Sequence, residues 1–135
     1  MGLQRTKDLV LNAEVADDAL ETVKFPAVLD VGTTDENANI LIDKALVVTH
    51  VSFHNVGATA LNAAATVKRY HDTTESTIAT STATLAGDAV EEKEGGDLSN
   101  ADLADGDQLR LYTGTVAADS TILQVTVTCT KKLNI

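Results

Sequence analysis

The stretch Thr121–Lys131 (TILQVTVTCTK) constrains this chain most. Leu123, Val125, Val127 and Cys129 take every second position, and Gln124, Thr126, Thr128 and Thr130 fill the places between. Side chains of a strand point alternately to its two faces, so this pattern describes a strand with one apolar and one polar face. On a helix the same spacing would scatter the apolar residues around the axis.

The pattern recurs along the chain. Residues 108–113 (QLRLYT) place Leu109 and Leu111 inward, with Arg110 and Tyr112 outward. Residues 45–55 (ALVVTHVSFHN) set Val47, Thr49, Val51 and Phe53, expected to be buried, against Val48, His50, Ser52 and His54. Residues 23–31 read as a strand that Pro26 confines to an edge or a strand start. Thr66–His71 (TVKRYH) reads as a strand whose faces are similarly mixed. In residues 73–85 a turn leads into a central strand, with Ala79, Ser81, Ala83 and Leu85 opposite Ile78, Thr80, Thr82 and Thr84. Residues 33–39 (TTDENAN) carry turn chemistry, and GATALNAAA and GTVAADS are small-residue connections. No fixed-period repeat is visible, which argues against a solenoid.

Composition agrees. The 19 Thr and 14 Val suit a pleated, half-buried surface, whereas the 19 Ala are scattered without a helical stripe. Six to eight strands in 135 residues predict an all-β fold: a single-domain antiparallel β-sandwich or jelly roll over residues 23–135. Residues 1–22 are expected to form an extended N-terminal arm, or a short helix or strand. With two Phe, two Tyr and no Trp, the core must be built from Val, Leu, Ile and Ala, and such a thin core gains stability from a partner subunit.

The formal charge of −10 has a location. Residues 88–107 hold eight acidic residues and one Lys, a net of −7, and read as a surface loop with a short strand at 89–92. This balance argues against nucleic-acid binding, where phosphate neutralisation supplies much of the affinity. No apolar run approaches a membrane span, and the start lacks the apolar core of a secretion signal.

Candidate sites are few. His50 and His54 sit four apart, about 13 Å along one strand face, too far to share one zinc ion. His71 lies on another strand, so the histidines are expected to face solvent. Asp102, Asp105 and Asp107 offer calcium-like carboxylate density but lack the EF-hand register, and Asp105-Gly106-Asp107 reads as a tight turn. The runs Thr80-x-Thr82-x-Thr84 and Thr126-x-Thr128-x-Thr130 resemble the ranks of ice-binding surfaces, without their repetition. Cys129 belongs to an apolar face, where a cysteine is an inert core residue. There is no G-x-S-x-G elbow, P-loop, G-x-G-x-x-G fingerprint or C-x-x-C pair. The expectation is a protein that is not an enzyme, with no cofactor and no metal.

The strand–turn–strand DGDQLRLYTGTVAADSTILQVTVT and the basic start GLQRTK carry a family likeness. Over about residues 45–130 the chain resembles the decoration (cement) proteins of tailed-phage heads. The resemblance implies a virion subunit, made in the host cytoplasm, that forms homo-oligomers, trimers above all. It implies binding to the major capsid protein on the outer head surface, with no nucleic-acid or membrane partner. An arm that includes Leu3, Arg5 and Lys7 would order against a neighbour or the shell. The competing expectation is a cellular adhesin-like or ligand-binding β-sandwich module.

Overall fold

The computed structural model describes residues 21–132. Nine strands follow in order: β1 (Thr22–Val31), β2 (Asn37–Leu41), β3 (Leu46–Asn55), β4 (Thr66–His71), β5 (Thr74–Thr80), β6 (Val90–Glu94), β7 (Asp102–Leu103), β8 (Gln108–Tyr112) and β9 (Thr121–Lys131). Sheet A has the order β1-β9-β3-β6, with the two-residue β7 also pairing β3; sheet B has the order β2-β8-β4-β5. Every pairing is antiparallel.

The pairings are nested. β1 takes β9, β2 takes β8, β3 takes β6 and β7, and β4 takes β5. Successive nested pairs fall alternately in sheets A and B, as though one long hairpin were rolled around a barrel axis. That arrangement is a double-sheet jelly roll, one of the two architectures expected from the sequence.

The inner faces meet in an aliphatic core. Leu46, Val51 and Phe53 of β3 and Leu123, Val125, Val127 and Cys129 of β9 pack from sheet A. Val67 of β4, Ile78 of β5 and Leu109 and Leu111 of β8 pack from sheet B. Each such side chain contributes about 1.5–3 kcal/mol by leaving water. β9 meets its expectation residue for residue, and Pro26 lies on β1, an edge strand.

Four expectations change, each for a local reason. The register of β3 against β9 shifts between Val48 and His50, so Thr49 is an extra residue. Leu46 and Val48 are therefore buried before the bulge and Val51 and Phe53 after it, while Val47 and Thr49 turn outward. In the second case, residues 73–85 are not a central strand: β5 is the edge of sheet B and stops at Thr80. A register shift between Val67 and Lys68 puts both Ile78 and Ala79 inside, whereas Ala83 is exposed. The T-x-T-x-T run of Thr80, Thr82 and Thr84 therefore leaves the sheet after its first member.

The third change is β2, which begins inside the TTDENAN turn; NANIL has one β-branched residue, and its strand form comes from pairing with β8. The last is the acidic segment, whose expected short strand at 89–92 is β6, two residues longer at its end, and which adds the two-residue β7. The charge of VEEKE suits an exposed edge strand, where it discourages pairing with other chains.

Candidate functional site

Sheet B turns an unusual outer face to solvent. Alternation along TVKRYH and QLRLYT sends Lys68, Tyr70, Arg110 and Tyr112 outward, because Val67, Leu109 and Leu111 take the inward positions. The pairing of β4 with β8 sets Lys68 beside Arg110 and Thr66 beside Tyr112. The pairing of β4 with β5 then brings Glu75 beside Tyr70. Both tyrosines of the chain thus lie on one surface with two cations and one carboxylate.

Glu75 organises the group. Its Oε2 accepts hydrogen bonds from Arg110 Nη1 at 2.8 Å and from the Tyr112 hydroxyl at 2.5 Å. Its Oε1 lies 3.5 Å from Lys68 Nζ. The Arg110 guanidinium stacks 3.7 Å from the Tyr70 ring centroid, and Lys68 Nζ sits 4.9 Å from that of Tyr112. The Tyr112 hydroxyl first, and then Arg110, hold the Glu75 carboxyl below its ordinary range. The same contacts, with Glu75 as the principal cause, raise Arg110 and Tyr112 above theirs. One row away Leu41, paired with Gln108, is 68% exposed. Aromatic rings, a guanidinium and a bare leucine on one sheet face make a contact surface: a cation already covers one side of each ring, and the group as a whole faces outward.

The residues singled out in the sequence lie elsewhere. Leu3, Arg5 and Lys7 fall outside the described residues. His50 and His54 share the outer face of sheet A, where His50 lies 3.6 Å from Glu92 Oε1 and 3.4 Å from Glu94 Oε2. His71 ends β4 in the other sheet, its Nδ1 at 2.5 Å from Asp107 Oδ1. The fold brings no three histidines together, and no group of three His, Cys, Asp or Glu able to hold a metal occurs among the described residues. Of the three clustered aspartates, Asp102 and Asp105 are exposed, but Asp107 folds inward after Gly106, which takes φ +94°. Its Oδ2 accepts from the Ala104 N–H at 2.8 Å. Cys129 is buried, and burial pushes its thiol up to about 12.

Sequence reasoning placed Arg110 and Tyr112 outward but did not assemble the group around Glu75. The parity shared by Lys68 and Tyr70, and by Arg110 and Tyr112, was the available signal; the adjacency of β4 and β8 is long-range.

No family model matches the chain, and no curated protein does. Among solved structures it is similar to the nucleoplasmin-like N-terminal domain of Drosophila FKBP39, with 15% identity over 83% of this chain and 93% of that chain, at a TM-score of 0.39. It is also similar to a chain in the atomic structure of Sulfolobus Turreted Icosahedral Virus, with 13% identity over 86% of this chain, at a TM-score of 0.47. This chain spans 31% of that viral chain. No helix among the described residues is long and apolar enough to cross a membrane.

Proposed function

We propose that this chain is a non-enzymatic structural subunit of a virus particle, a capsid decoration subunit. It acts as a homo-oligomer, a trimer, and binds the major capsid protein on the outer surface of the head. The observation that carries this reading is the outer face of sheet B. Tyr and Arg are the side chains that most often anchor protein interfaces. Here Tyr70, Tyr112 and Arg110 are already stacked and hydrogen-bonded, so binding would cost little further side-chain entropy. The exposed Leu41 adds an apolar contact beside them. Jelly rolls serve viral capsid domains as well as lectins and cupins, so the architecture agrees with the reading while the face carries it. The exposed Glu92 and Glu94 on sheet A belong to the solvated side of the subunit. The arm, with Leu3, Arg5 and Lys7, would fasten to a neighbour or to the shell.

Light scattering and co-sedimentation with undecorated particles test this. The intact chain should run as a trimer and saturate the particles. Leu41→Glu and Tyr70→Ala, folded by circular dichroism, should lose one or both properties, and deleting residues 1–20 should lower occupancy. A chain that stays monomeric and leaves particles bare refutes the proposal; unchanged occupancy after the deletion refutes the role of the arm.

A further inference from the structure

The two sheets part where β4 ends, and a cleft of about 240 Å3 opens between them. Leu103 and Ala104 give it an apolar floor, and Arg69, His71, Asp107 and Lys132 stand around it. Arg69 has the parity of the fully buried Val67, so its stem runs inward under sheet B. Its Nη1 donates to the Asp102 carbonyl of β7 at 3.1 Å, while its buried Nε–H has no acceptor. Among the described residues the guanidinium has no carboxylate partner. Lys132, half exposed, has among the described residues only Asp102 Oδ1 as an acidic neighbour, at 3.8 Å. A cation placed at the mouth of a sandwich without an ion-pair partner is poorly compensated, and an anion would complete it.

We propose that this mouth is a binding site for a small oxyanion, a carboxylate or a phosphate, held between Arg69 and Lys132. The His71 ring stands beside it, its Nδ1 committed to Asp107 and its Nε2 left as the remaining polar atom. Asp107 has both its oxygens engaged, by His71 and by the Ala104 N–H, but keeps its charge and so lowers the affinity for an anion. Asp102 opposes it too, from an exposed position at the rim, and the two carboxylates together hold the affinity to the millimolar range. The volume falls short of the roughly 300–1,000 Å3 of drug-sized pockets, so the ligand has few heavy atoms beyond its charged group.

An amide-resolved NMR titration of the whole chain with inorganic phosphate, and separately with acetate, at constant ionic strength decides this. Saturating shifts should appear at Leu103, Ala104 and Arg69. Arg69→Gln should weaken binding about tenfold or more, as the loss of a charge-assisted hydrogen bond does. Lys132→Gln should weaken it about threefold, as an exposed cation does, and Lys24→Gln, on exposed β1, should leave it unchanged. If the same amides shift with protein concentration alone, the oxyanion is a carboxylate of a second copy; if they shift only with added phosphate or acetate, it is a free anion. Absence of saturation in every arm refutes the site. So does undiminished affinity in Lys132→Gln, which stays decisive should Arg69→Gln fail to fold.

Discussion

Replacing Asn55 tests the packing of the jelly roll at one buried point. This side chain is fully buried at the end of β3. Its Nδ2 donates to the Thr59 carbonyl at 2.8 Å and to the Leu85 carbonyl at 3.2 Å, and its Oδ1 accepts from Thr121 Oγ1 at 2.7 Å. One residue thus ties together the loop after β3, the loop after β5 and the start of β9. Each hydrogen bond is worth about 1 kcal/mol net, and stranded buried carbonyls cost more, so Asn55→Ala should destabilise by about 3–5 kcal/mol. Asn55→Asp keeps the shape and changes the sign of the contact. An ionised carboxylate would face two carbonyl oxygens, a loss of about 3–5 kcal/mol, whereas the protonated acid can still donate to one of them. Burial therefore raises the folded-state pKa of the introduced carboxyl above its unfolded value of about 3.9. The native state then holds the proton more tightly than the unfolded state does. The penalty is smallest near that unfolded value and grows as pH rises through the folded one. Urea unfolding of Asn55→Asp and of the unaltered chain, each at acidic and at neutral pH, measures the difference between the two proteins. A difference that does not change with pH would falsify the assignment of Asn55 as a buried donor to both carbonyls.

Four further outcomes follow from particular contacts. Asp72 and Thr73 form the two-residue turn between β4 and β5 with φ of 49° and 64°, so Thr73→Gly should stabilise by about 0.5–1.5 kcal/mol in urea, by relieving a β-branched residue at positive φ. Gly114 has φ +71°, and an added Cβ would meet Ala64 C at 2.9 Å and the Ala63 carbonyl oxygen more closely still, so Gly114→Ala should lower the melting temperature by several degrees. Hydrogen bonds lower the Glu75 carboxyl (from Tyr112 and Arg110) and the Glu91 carboxyl (from Thr82 and Lys93, against opposing burial), so each contributes stability above the usual carboxylate range and loses it as pH falls through the folded pKa. Acid titration of Glu75→Gln should accordingly show a shallower loss than the unaltered chain. Cys129 should resist a thiol reagent at pH 8 until urea unfolds the chain, with mass spectrometry as the readout.

What could be read from the sequence divides along a physical line. Alternation identified β9 and β8 without error, because each runs straight through a sheet interior and has no bulge within its own pattern. It failed on β3 and β5, where one extra residue breaks the parity: Val47 and Thr49 turned outward, and Ile78 and Ala79, expected on opposite faces, are both buried. A bulge is set by the partner strand, so no local pattern announces it. β2 escaped for a related reason. NANIL has little intrinsic strand preference and is a strand because β8 pairs with it. The candidate face was partly legible: Arg110 and Tyr112 of β8 follow from parity, Lys68 and Tyr70 share one face of β4 that its mixed pattern left unassigned, and Glu75 joins them only through the order β8-β4-β5.

The scarcity of aromatic residues then acquires a different meaning. A thin aliphatic core could have used every ring available, and Phe53 does sit wholly inside it, with Phe25 packed at its margin. Tyr70 and Tyr112 do not contribute to that core. They stand on the outer face of sheet B, one stacked on Arg110 and the other bonded to Glu75. Folding alone does not require them there, since Thr, Lys or Gln would satisfy a half-exposed strand position as well. Nor does solubility, which a charge of −10 already favours. Stacking and hydrogen bonding give the rings some stability there, but the outer side of the group, beside a leucine that is itself exposed, leaves apolar surface uncovered. The jelly roll explains how these residues reach one surface, and the proposed interface gives a chain with four aromatic residues a reason to leave two of them there.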